Sequence, residues 1–462
     1  MFSRCVVLLC LWSLSAFAER QPNLIVIMTD DMGYGDAGCY GGTAFPTPNI
    51  DRLAKEGMRF TDFHSSGPVC SPTRAGLLTG RYQQRAGIPG VVYAAFNRNR
   101  HHGLQHKETT FAEILKKAGY ATGLFGKWHL GYQSQYNPVH QGFDRYVGYV
   151  SGNVDFHTHI DGAGVEDWWH QDEKVEEKGY TTHLITRHAV KFIEDQKENP
   201  FCIYVAHEAP HDPYQGPNDP PVRHVGTKGY LFDHREPEHA ARAYRDMMVE
   251  MDRGVGEIMA KLKELDLDED TFVMFFSDNG ATGPGSCGRL FGMKGTVWEG
   301  GIRVPGIARW PGRIKAGSVT DQLATTIDVL PTILDVADVR VPEGLKLDGE
   351  SLLPLMEGKA ESKPRKIFWQ YGEATAMRDG EWKLVLNEGT KAKKSDRFPN
   401  IHWDHPDDGR QKLALFDLSK DVEEQLNLAD KMPKRVKNMT QAIKRWEKEV
   451  MEGATEQPEK QP

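Results

Sequence analysis

Cysteine is scarce in this sequence, long apolar runs are missing and positive charge is outnumbered. Each shortage removes a class of protein. Of six cysteines in 462 residues, Cys5 and Cys10 fall in the first eighteen residues, leaving Cys39, Cys70, Cys202 and Cys287 scattered along the chain. Such a chain is not built on a disulfide framework, and if Cys70 is reserved for chemistry, at most one bridge can form among the other three. Beyond the N-terminus no stretch approaches the roughly 20 apolar residues of a transmembrane helix, so a membrane span is not expected. Lys and Arg number 57 against 65 Asp and Glu, a formal charge of −8. That balance argues against nucleic-acid binding, and a polyanionic partner would have to meet a locally basic cleft on an acidic surface. No internal repeat is evident.

The first eighteen residues, MFSRCVVLLCLWSLSAFA, have a cationic start at Arg4, an apolar run from Val6 to Leu14 and an Ala16-Phe17-Ala18 cleavage site. This is the pattern of a secretory signal peptide, and it predicts a cleaved, exported protein, secreted or periplasmic. The remaining length suffices for a large core plus a second domain.

Asn23–Thr29 (NLIVIMT) is a continuous apolar run that stops at Asp30-Asp31. Phe201–Ala206 (FCIYVA) stops at His207-Glu208, and Thr271–Ser277 (TFVMFFS) stops at Asp278-Asn279. Runs of this kind fit strands buried on both faces of a parallel sheet. Helical periods lie between them, through Phe111, Ile114, Leu115 and Ala118, and through Met247, Met248, Met251, Val255, Ile258 and Leu262. The alternation predicts an α/β fold with a doubly wound, mostly parallel central sheet flanked by helices. In such sheets ligands collect at the carboxyl ends of the strands, where the polar residues stand here.

After Leu345 the texture changes. Lys363–Glu388 alternates as a hairpin around Arg378-Asp379-Gly380, a loop follows, and a helical period runs through Val436, Met439, Ile443, Trp446 and Val450. The expected organisation is a signal peptide (1–18), a catalytic α/β domain (19–345), a smaller C-terminal antiparallel sheet with a closing helix (346–451) and a polar, disordered tail (452–462).

Pro68–Tyr82 reads PVCSPTRAGLLTGRY. Its Cys70-x-Pro72-x-Arg74 core, followed by LLTGR at Leu77–Arg81, resembles the signature at which formylglycine-dependent sulfatases of the alkaline phosphatase superfamily have a cysteine oxidised. The companion motifs stand in that family's order: TDDMGYGD at Thr29–Asp36, GKWHLG at Gly126–Gly131, HEAPHDP at His207–Pro213, SDNG at Ser277–Gly280 and MKGTVWEGGIRVP at Met293–Pro305. The resemblance extends from Asn23 to about Asp335 and is weaker beyond.

The resemblance implies that Cys70 becomes formylglycine (3-oxoalanine) through a formylglycine-generating maturation enzyme. The physical merit of that side chain can be reconstructed. An aldehyde hydrate offers one hydroxyl to attack sulfur and keeps a second for expelling sulfate, whereas a serine ester has no such exit. Asp30, Asp31, Asp278 and Asn279 are hard oxygen ligands at two strand ends, suited to Ca²⁺ or Mg²⁺. By resemblance they bind calcium together with residue 70. The family's pattern further implies that Arg74 fixes the hydrate, that Lys127 contacts both hydrate and sulfate, and that His129 is the base for sulfate elimination. His211 and Lys294 would bind sulfate and protonate the departing alcohol, and Ser151 would contact sulfate. His207 is either a supporting residue or a strand-end histidine, while Asp36 and the Glu299–Arg303 segment are expected to be structural.

Two loops, Asn97–His102 and Asp155–Trp169, combine cations, imidazoles and a Trp168-Trp169 pair. Aromatic rings stack on sugars and cations pair with sulfate, so these are candidates for reading a sulfated saccharide; packing of the tryptophans into the core is the competing reading. Tyr149 and His157 are open in the same way. Asn438-Met439-Thr440 is a formal glycosylation acceptor set in an expected helix, and it is discounted. The expected function is that of an exported sulfatase acting on sulfate monoesters, with sulfated saccharides preferred to small aryl or choline esters. A phosphate-ester or phosphonate hydrolase of the same superfamily is the enzymatic rival, and a glycan-binding relative without turnover is the other.

Overall fold

The structure, a computed structural model, describes residues 20–95, 98–388 and 411–460. The expected signal peptide, residue 97 and the loop expected after the C-terminal hairpin therefore lie outside the described residues. The strands in chain order are β1 Asn23–Thr29, β2 Met58–Phe60, β3 Phe63–His64, β4 Ala121–Lys127, β5 Arg145–Tyr149, β6 Trp169–His170, β7 Glu173–Lys174, β8 Phe201–Ala206, β9 Thr271–Ser277, β10 Gly306–Arg309, β11 Ser318–Thr320 and β12 Ala324–Thr325, then β13 Lys366–Tyr371, β14 Ala374–Asp379, β15 Trp382–Glu388 and β16 Gln411–Asp417. The helices are α1 Pro48–Glu56, α2 Cys70–Thr79, α3 Phe111–Lys117, α4 Thr181–Asp195, α5 Pro237–Glu264, α6 Glu299–Ile302, α7 Val329–Val336, α8 Leu353–Met356 and α9 Pro433–Met451.

The large sheet runs β11-β2-β10-β9-β1-β8-β4-β5-β6-β7. Its centre, β9-β1-β8-β4-β5, is parallel throughout. Strand β1 shows why its sequence is apolar at every position. Leu24, Val26 and Met28 belong to a core with Leu77 and Leu78 of α2, Phe111 of α3 and Leu330 of α7. Ile25 and Ile27 belong to the opposite core with Ile185 of α4 and Met247, Met251 and Val255 of α5. Period-two alternation thus sends successive residues into two different apolar layers. The expected doubly wound sheet is present, with antiparallel additions at β10, β6 and β7.

The register sets the site. Thr29 pairs with Ser277, so β1 and β9 end side by side. Met28 pairs with Ala206, and Ala206 with Gly126, so the ends of β8 and β4 follow in line. Asp30-Asp31, Asp278-Asn279, Lys127 and His207 therefore leave the sheet along one edge.

The C-terminal sheet, β13-β14-β15-β16, is antiparallel, with β14 and β15 forming the expected hairpin. Helix α9 closes one face, where Met439 and Ile443 meet Met377, Leu384 and Leu415. The other face shares a core with the segment around α6, since Ile367 and Trp369 pack with Val297, Trp298 and Ile302. Residues 452–460, expected to be a disordered tail, hold tertiary contacts instead. The Thr455 amide donates to the Arg85 carbonyl at 2.8 Å, its hydroxyl meets Glu108, and Gln457 Oε1 accepts from the Gly103 amide at 3.0 Å. Polar composition hid this because the anchors are hydrogen bonds to the body, not apolar burial. All four described cysteines are free thiols.

Candidate active site

Helix α2 starts at Cys70, with Val69 extended at its N-terminus and all ten helical residues buried. Pro72 is tolerated in that first turn, where backbone N–H groups have no helical acceptor. Cys70 and Arg74 are four residues apart in this helix and so share a face. The Arg74 guanidinium is fully buried and spans three strands: it donates to Asp278 Oδ2 at 3.0 Å, to the Lys127 carbonyl at 3.0 Å and to the Tyr204 hydroxyl at 3.3 Å. Tyr204 was not foreseen, because it reads as one more apolar position of β8.

The carboxylates form a second layer. Asp30, Asp31 and Asp278 bring oxygens within 4.8 Å of one another. The Asp31 amide donates to Asp278 Oδ1 at 3.2 Å, Asn279 Nδ2 donates to Asp31 Oδ1 at 2.7 Å and the Thr282 hydroxyl reaches Asp31 Oδ2 at 3.4 Å. Thr282, three residues beyond Asn279, had no motif to reveal it. Asp31 sits at φ 68, the left-handed region that L-residues seldom occupy, and this turns its side chain back toward β9. Lys127 Nζ donates to Asp30 and Lys294 Nζ to Asp31. Asp30 Oδ1 and Asn279 Oδ1 are buried with no hydrogen-bond partner among the described residues. Two unclaimed oxygens beside two further carboxylates are a donor set suited to a hard cation.

Charge in this pocket is strongly coupled. Burial alone would raise the Asp30 carboxyl, but Lys127, His211, Arg74 and Lys294 hold it far below its usual value. Asp278 goes the other way, pushed well up by burial and by Asp30 despite Arg74. For Cys70, burial also opposes ionisation, yet Lys127, Lys294 and His129 hold the thiol well below its ordinary value. An electropositive setting of this kind separates reactive cysteines from structural ones.

His129 adopts φ 57, and its Nε2 lies 2.9 Å from the Val92 carbonyl. That contact requires the proton on Nε2 and leaves Nδ1 as an acceptor, buried and with no hydrogen-bond partner assigned among the described residues. Burial lowers its pKa, partly offset by Cys70. His211 Nδ1 donates to the Asp212 carbonyl, which turns Nε2 toward Asp31 Oδ2 at 3.6 Å. Its pKa rises to about 9: burial and Lys294 oppose the charge, but Asp31 and Asp30 outweigh them. Asp30, Cys70 and His211 also converge within 4.8 Å.

Six of the sequence-selected residues, Cys70, Arg74, Lys127, His129, His211 and Lys294, therefore meet at the metal-type carboxylates. The Ser151 hydroxyl donates to the Asn153 carbonyl at 2.9 Å, and Asn153 Nδ2 in turn lies 3.5 Å from His211 Nδ1. His207 is fully buried and neither ring nitrogen has a partner among the described residues; burial lowers its pKa to about 4. Tyr149 is fully buried, as is Asp36, which accepts from the Gly33 and Ser286 amides and the Tyr244 hydroxyl. Trp168 is 2% exposed, its indole bound to Glu177, and His157 binds the Gly216 carbonyl. In the Asn97–His102 loop, Arg98 lies over Tyr93 at 4.3 Å and Arg100 over Tyr132 at 4.4 Å. Glu299 is locked in a buried ionic cluster with His64, Arg303 and Lys383.

Residues 22–339 match the sulfatase family model, and residues 289–452 match the model of the C-terminal region of N-sulphoglucosamine sulphohydrolase. The Mus musculus N-acetylgalactosamine-6-sulfatase is 33% identical over 489 residues, covering 97% of this chain and 90% of that protein. Human arylsulfatase A is 33% identical, covering 92% and 87%. Among solved structures, Ps i-CgsB in complex with k-i-k-neocarrahexaose aligns with a TM-score of 0.79 at 26% identity, covering 95% of each chain. The phosphonate monoester hydrolase of Agrobacterium radiobacter shares the fold, with a TM-score of 0.62 at 21% identity, covering 93% of this chain and 96% of that one. With the family model spanning most of the chain and the cationic pocket at the strand ends, the chain belongs to the sulfatase family of the alkaline phosphatase superfamily and is a sulfuric ester hydrolase.

Proposed function

We propose that this enzyme hydrolyses sulfate monoesters of saccharides, as an exported protein, through a formylglycine at position 70. The observation that carries the reading is the meeting of Cys70, Asp30 and His211 within 4.8 Å, where Arg74, Lys127 and Lys294 pair with Asp278, Asp30 and Asp31, beside the unclaimed oxygens of Asp30 and Asn279. A saccharide substrate is supported by relatives named for N-acetylgalactosamine 6-sulfate and by the fold match to a complex with an oligosaccharide.

An aldehyde hydrate at position 70, made from the thiol by a formylglycine-generating maturation enzyme, supplies a hydroxyl nucleophile with a second hydroxyl for release. Asp30, Asp31, Asp278 and Asn279, together with residue 70, would hold calcium, which would supply Lewis-acid stabilisation of the charge on sulfate oxygens. The chain's own groups do the rest. Arg74, fixed on Asp278 and the Lys127 carbonyl, orients the side chain at position 70. Lys127 and Lys294 hold sulfate oxygens. His211, kept protonated by Asp31 and Asp30, delivers a proton to the departing alcohol oxygen, with Lys294 as its neighbour. His129, unprotonated at Nδ1, accepts the proton that leaves position 70 during release.

The test joins mass spectrometry and turnover. The tryptic peptide Phe60–Arg74, taken from protein made with a formylglycine-generating enzyme, should be lighter by the thiol-to-aldehyde difference. The same preparation should release sulfate from sulfated oligosaccharides much faster than phosphate from the matched phosphate esters. An unmodified thiol in active protein would overturn the nucleophile, and faster phosphate release would favour the phosphohydrolase reading.

A further inference from the structure

Away from the sulfate pocket, three side chains from separate elements meet at the open end of the large sheet. His170 ends the short strand β6, Glu177 follows the β6-β7 hairpin, and His188 lies in the middle of α4. Their ligand atoms all lie within 4.8 Å of one another. His170 Nε2 is 2.9 Å from Glu177 Oε2, and His188 Nε2 is 2.9 Å from Oε1 and 3.1 Å from Oε2. The three are part-buried, at 32%, 17% and 16% side-chain exposure for His170, Glu177 and His188, so solvent reaches the cluster while the rings stay fixed.

We propose that His170, Glu177 and His188 form a second metal site, taking a transition-metal dication of the zinc class. Two imidazole nitrogens and one carboxylate, with water completing a tetrahedron, are a zinc donor set. Calcium and magnesium call for oxygen ligands, so this site and the sulfate pocket sort different ions. The spacing agrees: ligand bonds of about 2.0–2.1 Å in a tetrahedron put donor atoms about 3.3 Å apart. The imidazole–carboxylate spacings of 2.9 Å need to open by only a few tenths of an ångström, and the two imidazole nitrogens already lie within 4.8 Å of each other. Outer contacts are in place as well. The Trp168 indole N–H donates to Glu177 Oε2 at 2.8 Å, and Arg187 donates to Oε1, which orients the carboxylate as supporting hydrogen bonds do around metal ligands.

Such an ion would pin the hairpin at the sheet edge to α4, where pairing is otherwise short: β6 and β7 have two residues each. The effect reaches inward. Asp167, next to Trp168, accepts the amides of Val150 at 3.2 Å and Ser151 at 2.8 Å, and the following Gly152 faces the His129 ring. The zinc clip is thus a support for the segment that borders the sulfate pocket.

The experiment uses the full chain carrying Cys70→Ala, so that the thiol cannot bind zinc, with calcium in excess. Zinc titration by calorimetry, with metal content after dialysis, should give one zinc per chain and a melting temperature that rises with zinc. His188→Ala and Glu177→Gln should each weaken zinc binding at least about tenfold. His170→Gln, at a solvent-reached strand end, should do the same while circular dichroism stays unchanged, which separates ligand loss from misfolding. No retained zinc, or equal zinc binding in all three variants, would overturn the proposal and leave the cluster an ion pair between imidazoles and a carboxylate.

Discussion

His129 has its ring against Gly152, where an added Cβ would lie 2.9 Å from the ring atoms Cε1 and Nε2. Gly152→Ala must displace the imidazole, and with it the Nε2 contact to the Val92 carbonyl. A shift of even 1 Å in a reacting group can cost about 10²-fold in rate. Gly152→Ala is therefore expected to lower kcat for sulfate release by one to two orders of magnitude (on the order of 10–100-fold) with little change in melting temperature. Steady-state kinetics beside a thermal melt checks both halves. Glu208 offers a residue-level pH signature. It accepts the Val154 amide at 2.7 Å, its second oxygen is buried without a partner among the described residues, and burial raises its pKa from 4.5 to about 8. A raised acid favours folding fully below its unfolded pKa, and that contribution is lost as pH climbs through the folded value. Glu208→Gln removes this loss. The melting temperature of the variant relative to the parent should rise between about pH 4.5 and pH 8 and level off above; a difference that is flat over that window would contradict the assignment.

Elements show what the sequence reveals and what it hides. Strands β1, β8 and β9 were legible because burial on both faces demands uninterrupted apolar residues, and the acids that stop them mark the ligand edge. The β14-β15 hairpin was legible too, through alternation around Asp379-Gly380. Strands β2, β10 and β11 were not, since three or four residues carry too little periodicity. The contacts of Tyr204, Thr282 and Asn153 escaped for another reason: they depend on which strands become neighbours, and that is a property of register. The small helix α6 is held by charge. Lys383 of β15, fully buried, bridges Glu299 at 2.9 Å and Glu424 at 2.8 Å, while Arg378 of β14 reaches Asp62 at 2.9 Å. Removing one member of a buried ionic network leaves uncompensated charge and costs about 3–5 kcal/mol. Lys383→Met should destabilise by that order in denaturant unfolding, and adding Glu424→Gln, which can still accept the Glu299 amide, should recover part of it. Equal stability of the single variant and the parent would show that the network is solvated.

At the scale of the whole molecule, the carboxylate cluster joins the ends of the two central strands β1 and β9, and an ion seated there ties the sheet across its middle. Calcium is expected to raise the melting temperature in a concentration-dependent way, chelation to lower it, and Asn279→Ala to shift the response to higher calcium. Scanning calorimetry with calcium and with EGTA distinguishes this from a site that forms without metal. The same topology has a consequence during synthesis. Strand β1 is central, wholly buried and made first, yet both its partners, β8 and β9, come much later: Asp31 and Asp278, which meet at the edge, are 247 positions apart. At 5–20 residues per second, β1 waits roughly 10–50 s for its second neighbour to be translated. Through that interval one of the most apolar segments of the chain has no sheet to join, and Cys70, buried in the finished fold, has not yet been covered by β8 and β9.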